Sequence, residues 1–350
     1  MAPAGGNRQN MSLGEASIFR DTGRIRRLRR LALSTGVACA AITASAISGL
    51  ASAAPADAAS TNLFASVSQS GTLVSGNGVT TVTHIGTGQY EVTFSSNVQN
   101  CAYVATTINA YSQALQIFTA GGHLSSDGVY VETKNQGGGL TDGPFNLVVD
   151  CGQPGWDYAV VGYTANLVRA TTGTTLTTLS TGRYDVKFTN SVKNCAYLAT
   201  VGDPGNQLVF NPNGVYTGSA SNSHTVYIET KNQGGGLSSG IPFHLAVICP
   251  NAANTKIAVV GSDGIITRGS ALTSSYNSST GQYAVVTNKA VSSCATVATR
   301  GSVNASVPFT PATVEIVPGP ASNTIGMQVR DLLFFGGNLD SQSFHAAIVC

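Results

Sequence analysis

The chain has 350 residues, a formal net charge of +2, only 10% charged residues and 40 glycines. Seven of its 18 basic residues but only three of its 16 acidic ones fall within residues 1–58, so the remainder holds 11 basic against 13 acidic residues. Phosphate backbones are held by concentrated basic patches; none remains, and no nucleic acid is expected as a partner.

Arg24, Arg26, Arg27, Arg29 and Arg30 precede a small-residue, apolar run from Leu31 to Leu50, and Ala51-Ser52-Ala53 and Ala56-Asp57-Ala58 follow. A basic segment, an apolar segment and a small-x-small cleavage site describe a secretory signal peptide, placed at 1–58. A run of about twenty residues also suits a membrane anchor. Ser34, Thr35, Thr43, Ser45 and Ser48 dilute the run and a cleavage site follows it, which favours the signal, with no membrane span after processing. The arginine pairs fit Sec or twin-arginine export.

From Asn62 onward one pattern is used three times, at 62–151, 156–249 and 255–350. The joints Gly152–Gly155 and Pro250–Asn254 are short and contain proline, which keeps neighbours close. Each module opens with an apolar strand and a turn (FASVSQSGTLVSG from Phe64, YAVVGYTANLVRA from Tyr158, IAVVGSDGIITRG from Ile257), with Gly71 and Gly264 placed where positive φ is cheap. A Thr/Ser-rich segment follows, then a strand of period two: Tyr90-Val92-Phe94, Tyr184-Val186-Phe188, Tyr283-Val285. The next strand, CAYVAT at Cys101, CAYLAT at Cys195 and CATVAT at Cys294, is apolar on both faces and is expected to be covered on both. After a variable loop, VYVETKNQGGGL (Val129–Leu140) recurs as VYIETKNQGGGL (Val226–Leu237) and more faintly at Ile325–Leu339. FNLVVDC, FHLAVIC or FHAAIVC closes the module.

About seven short strands per module with Gly/Pro/Asn turns and no helical period predict an all-β fold of three tandem β-sandwich or jelly-roll-like modules. Six cysteines remain after the leader, two per module, separated by 50, 54 and 56 residues. Six cysteines allow fifteen pairings; the repeat selects Cys101–Cys151, Cys195–Cys249 and Cys294–Cys350. Such bridges persist in an oxidising compartment. Zinc ligation is disfavoured, since no CxxC or HxxxH spacing accompanies them. Val148, Ala246, Ile248, Ala347 and Val349, with Val104, Leu198 and Val297, form an apolar outer patch on each module. Either the modules pack on one another, around a pseudo-threefold axis, or a loop of each module covers its own patch.

The order GxYxVxF, CAYVAT, VxVxTxN, FxLxVxC resembles a tandem repeat of secreted actinobacterial proteins, largely of unassigned function, some with collagen-like or fibre-like regions. The resemblance spans Asn62–Cys350, with Thr287 in place of Phe and Thr296 in place of Tyr in the third module. It implies export and a β-rich module, and it implies no catalytic residues.

Chemistry-bearing residues are few. His244 and His345 occupy equivalent positions, with Asn146 in the first module, and read as surface histidines. Tyr130, Glu132 and Lys134 share one strand face, repeated by Tyr227, Glu229 and Lys231; an aromatic beside a carboxylate and an amine suits a sugar ring, and a solvated face whose charges deter edge pairing is the alternative. The third module has Gly326, Gln328 and Arg330 there. The glycine loop Asn135–Gly139 lacks the following helix and Lys-Ser/Thr of a phosphate loop and reads as a flexible hairpin connection. No carboxylate pair is repeated, and the one GxSxG string, Gly236-Leu-Ser-Ser-Gly240, lies in the second glycine loop, ahead of a Phe-led strand and not on a strand-to-helix turn, so no catalytic, cofactor or metal residues are assigned. The expectation is a secreted, non-catalytic protein that binds or coats an extracellular surface through a glycan or protein ligand. Its alternatives are a structural or fibre-like envelope component and, third, a secreted hydrolase. No LPxTG-like string or apolar segment ends the chain, so release or loose envelope association is expected.

Overall fold

The computed structural model describes residues 62–108, 114–207, 213–305, 309–332 and 339–350; the signal-peptide expectation lies outside the described residues. Every named element is a β-strand. The first module holds β1 (Leu63–Val67), β2 (Leu73–Asn77), β3 (Val79–Gly86), β4 (Gln89–Phe94), β5 (Ala102–Thr107), β6 (Leu115–Gly121), β7 (Gly128–Asn135) and β8 (Phe145–Asp150). The second holds β9 (Trp156–Val161), β10 (Leu167–Ala170), β11 (Thr175–Ser180), β12 (Arg183–Lys187), β13 (Ala196–Val201), β14 (Gly214–Ser219), β15 (Thr225–Lys231) and β16 (Phe243–Ile248). The third holds β17 (Thr255–Val260), β18 (Ile266–Gly269), β19 (Thr273–Asn277), β20 (Gln282–Val286), β21 (Ala295–Ala305), β22 (Ala312–Pro318), β23 (Thr324–Asp331) and β24 (Phe344–Val349).

In the first module the strands form two sheets, in the orders β2-β1-β8-β5 and β3-β4-β7-β6, and both orders recur in the other two modules. Alternation explains how the sheets close on each other. Tyr90 and Val92 of β4 and Val129 and Val131 of β7 meet Ala65 and Val67 of β1, Tyr103 of β5, and Phe145, Leu147 and Val149 of β8 in one buried cluster. Fully burying each large apolar side chain stabilises by roughly 1.5–3 kcal/mol. The phenol of Tyr103 would be costly in such a core without a partner, and its O–H donates to the Val98 carbonyl at 2.8 Å, as Tyr197 does to Val192 at 3.0 Å. Disulfides Cys101–Cys151, Cys195–Cys249 and Cys294–Cys350 tie the CAYVAT-type strand to the end of the last strand; these are the pairs that the repeat spacing selects.

The three modules form one compact unit. The outward residues Val104, Val148, Leu198, Ala246, Ile248, Val297, Ala347 and Val349 join Phe64, Trp156, Ile257 and Val259 in a single central cluster. Of the two fates open to the apolar patch, mutual burial is therefore the one adopted.

The polar contacts between modules run in a ring. Thr106 of the first module donates to the Ala298 carbonyl of the third and accepts from the Ala298 N–H. Thr299 of the third bonds Ala199 of the second in the same way, and Thr200 of the second bonds Ala105 of the first. Parallel contacts repeat the ring: Thr119 with Gly202, β14 with β21 at Thr217 and Gly301, and Ile316 with Ile108. Each module thus meets the next through the same surface, which is pseudo-threefold symmetry within one chain.

Candidate functional site

The stripe that suggested a sugar site is not on the surface. Tyr130, Glu132, Lys134, Tyr227, Glu229 and Lys231 are all at most 7% exposed. Their strands β7 and β15 are inner strands, paired on both sides, so the edge-protection alternative fails as well. The charges are internal pairs: Lys134 Nζ lies 3.0 Å from Glu132, and Glu229 takes Lys231 at 3.6 Å and Arg183 at 3.1 Å. Tyr130 and Tyr227 donate to Glu132 and Glu229. Burial and the neighbouring carboxylates push both phenols well above the usual tyrosine range. Glu229 also accepts the N–H of Phe309 from the third module.

The third module keeps an equivalent ion pair by moving its acid. Gln328 replaces the glutamate of β7 and β15, while Glu315 on the adjacent strand β22 binds Arg330 Nε at 2.7 Å. Glu315 also accepts the N–H of Leu115 in the first module.

His244 and His345, expected at the surface, are fully buried. They do point out of their own sandwiches, but into a neighbour. The Tyr103 N–H donates to Nδ1 of His244, and Nε2–H of His244 donates to the Asp203 carbonyl at 3.1 Å. His345 stands likewise between the Tyr197 N–H and the Ser302 carbonyl. One nitrogen accepts and the other donates, which defines a neutral ring. Burial, reinforced by Arg169 for His244 and by Arg268 for His345, lowers each pKa to about 3.

Arg169 and Arg268, to which the sequence reading gave no role, complete the first two interfaces. Arg169 Nε donates to the Cys101 carbonyl and its guanidinium lies over Tyr103; Arg268 repeats this on Cys195 and Tyr197. Their shared place after the first turn, NLVRA and IITRG, was the available signal. At the third interface all three partners change together: Ser75 stands for the arginine, Asn146 for the histidine and Thr296 for the tyrosine. Asn146 Nδ2 donates to the Thr296 carbonyl at 2.9 Å, while Asn146 Oδ1 and Ser75 Oγ have no hydrogen-bond partner among the described residues.

The glycine loop is a tight turn organised by Asn135, whose carbonyl accepts the Gly138 N–H and whose side chain accepts the Gly139 N–H. Asn232 organises the second copy in the same way. The loops meet across modules, Gln233 donating to Gln136 and Gln136 to Leu332. On the surface, His84 Nε2 pairs with Asp142 at 2.9 Å beside Tyr90; Asp142, which also accepts the Gly88 N–H, is held below the usual carboxylate range. Among the described residues no cluster of three His, Cys, Asp or Glu side chains suits a metal ion, and no helix is long and apolar enough to cross a membrane. No protein-family model, curated protein or solved structure matches this chain.

Proposed function

We propose that the chain after its leader is an exported, non-catalytic protein that acts as one rigid body outside the cell, binding or coating a surface with three outward-facing module faces. The observation that carries this reading is the closed ring of Thr106, Thr200 and Thr299 contacts, which fixes the modules relative to one another. Three disulfides suit an oxidising exterior. Rigid repetition raises avidity without new contacts. With the Tyr/Glu/Lys stripe buried, the binding face moves to the outer strands β3, β11 and β19, whose Ser and Thr side chains, among them Thr80, Thr83, Thr177, Thr178 and Ser275, are exposed. Pull-down of insoluble envelope material by the fragment from Asn62 tests the reading: retention lost when Thr177 and Thr178 become lysine supports it, and absence of retention overturns it.

The same strands favour the structural reading as the second choice. They are sheet edges carrying neither lysine, arginine, acid nor proline, and unguarded edges template pairing with other chains. Filaments formed by the fragment alone, seen by electron microscopy, would establish that reading in place of surface binding. A hydrolase finds no support in the His84–Asp142 pair, because no described hydroxyl is hydrogen-bonded to His84.

A further inference from the structure

The contact between the second and third modules leaves an open groove of about 450 Å³ at the surface. The connection 219–223, which contributes three serines and Asn222, forms one wall together with Lys193. Thr267 and Arg268 of β18 and Asn304 of β21 form the other. No acidic side chain lines the groove, and neither Lys193 nor Arg268 forms an ion pair with a described residue. Its size falls within the range of small-molecule sites, and hydroxyl and amide side chains outnumber apolar ones along its walls.

Two replacements set this interface apart from the first. Tyr158 of the second module reaches back to the first, its hydroxyl donating to the Asn100 carbonyl at 2.7 Å. Ile257 stands at that position of the third module and joins the central cluster, so no phenol bridges to Asn194, the counterpart of Asn100. Asp203, whose carbonyl accepts from His244, lies near enough to Arg169 to favour its charged form. Ser302 replaces it beside His345; no described carboxylate acts in this way on Arg268, whose charged form burial disfavours. Arg268 Nε and Nη1 donate to the Cys195 and Val303 carbonyls, and Nη2 is covered. The guanidinium therefore acts on the groove as a fixed positive charge within its wall, not as a free donor. A charge taken out of water without a counter-charge is costly, and an anion in the groove offsets that cost.

We propose that this groove binds an acidic saccharide, its carboxylate paired with the exposed Lys193 beside the Arg268 charge and its hydroxyl groups bonded to the serine, threonine and asparagine side chains. The source of such a ligand, an extracellular glycan, rests on the reading of the chain as exported; the site itself does not depend on the outer strands β3, β11 and β19. The first interface does not bind in this way, because Tyr158 spans it and Asp203 already answers the charge of Arg169.

Titration calorimetry and NMR shift changes on the fragment from Asn62 to Cys350 follow the binding of digalacturonate, with neutral galactobiose and inorganic phosphate as comparison probes. A ligand of this size should bind with Kd on the order of 0.1–1 mM, and galactobiose at least about tenfold more weakly. Lys193→Gln should weaken digalacturonate about fivefold. Thr267→Glu, which supplies a carboxylate from within, should weaken it at least about tenfold. Val168→Glu, at the same position of the first interface, should leave binding within about twofold of the parent. All three positions are exposed, so the variants keep the fold. No binding at about 10 mM probe, or binding that Thr267→Glu leaves unchanged, overturns the site. Galactobiose or phosphate bound as tightly as digalacturonate overturns the acidic-saccharide assignment. Equal losses in Val168→Glu and Thr267→Glu would trace the effect to net charge and overturn the groove as its seat. Failure here leaves the envelope pull-down standing, since that test reads the outer strands, and retention there can fail while digalacturonate still binds.

Discussion

The Tyr103 N–H donates to Nδ1 of His244 across 3.0 Å and 141 residues of chain, joining the first module to the second. A strand whose N–H groups faced the neighbour's apolar patch without acceptors would carry an uncompensated cost. His244 removes it only while the ring is neutral, because a protonated ring has no lone pair to offer.

Stability should therefore fall with acid. The folded pKa of His244 and of His345 is lowered to about 3 from 6.5, so between these values the unfolded chain binds protons that the folded one does not. The contribution is complete above pH 6.5 and is lost on the way down, by about 1.4 kcal/mol per ring for each pH unit. Asp150 works in the opposite sense. Burial raises it from 3.8 to about 8, so its contribution is present below pH 3.8 and is lost as pH rises to about 8. From pH 6.5 down to 3.8 the two rings outweigh the one acid, and urea midpoints should drop. In His244→Asn with His345→Asn the slope should reverse sign, leaving that of Asp150; an unchanged slope would refute the assignment.

Thr200→Val keeps the shape of the side chain but leaves the Ala105 N–H without its acceptor. A loss of about 1–3 kcal/mol is expected, read from urea unfolding. Thr106→Val and Thr299→Val should cost the same within about 1 kcal/mol, because each position makes the same pair of bonds. One harmless variant beside two damaging ones would argue against a ring of equivalent contacts.

Removing Glu229 strands Lys231 in a buried site, and Glu229→Ala should cost about 3–5 kcal/mol. The third module suggests its own repair. Tyr216 occupies the position that Glu315 fills there, so Glu229→Gln combined with Tyr216→Glu should be more stable than Glu229→Gln alone. Additive losses in this double-mutant cycle would show that the acid cannot be relocated in the second module.

Ala165 has φ 56° at the turn where the other modules carry Gly71 and Gly264. A left-handed alanine is strained by roughly 1–2 kcal/mol, partly offset by the extra chain entropy of glycine. Ala165→Gly should therefore be neutral or stabilising by about 0.5 kcal/mol. Gly264→Ala should be clearly destabilising, since its Cβ would lie 2.4 Å from the backbone nitrogen of Tyr276. Thermal melts of the two variants moving in the same direction would contradict this.

Local rules made most of the fold readable before any coordinates. Period two in Tyr90-Val92-Phe94 names a half-buried strand, glycine at 71 and 264 names a turn, and three similar cysteine spacings leave one sensible pairing. The apolar outer residues Val104 and Val148 announced that something had to cover them, without saying what. The face of Tyr130-Glu132-Lys134 misled for a related reason: charge and alternation in one strand reveal which side chains share a face, but not whether another module lies against it.

By itself, then, the sequence settled strands, turns and sulfur pairs, all of which depend on spacing along the chain. Burial of His244 and His345 and the transfer of an acid from Gln328 to Glu315 were decided only by the assembled structure. Each depends on atoms brought together from strands or modules distant in sequence, and a one-dimensional pattern carries no record of such neighbours.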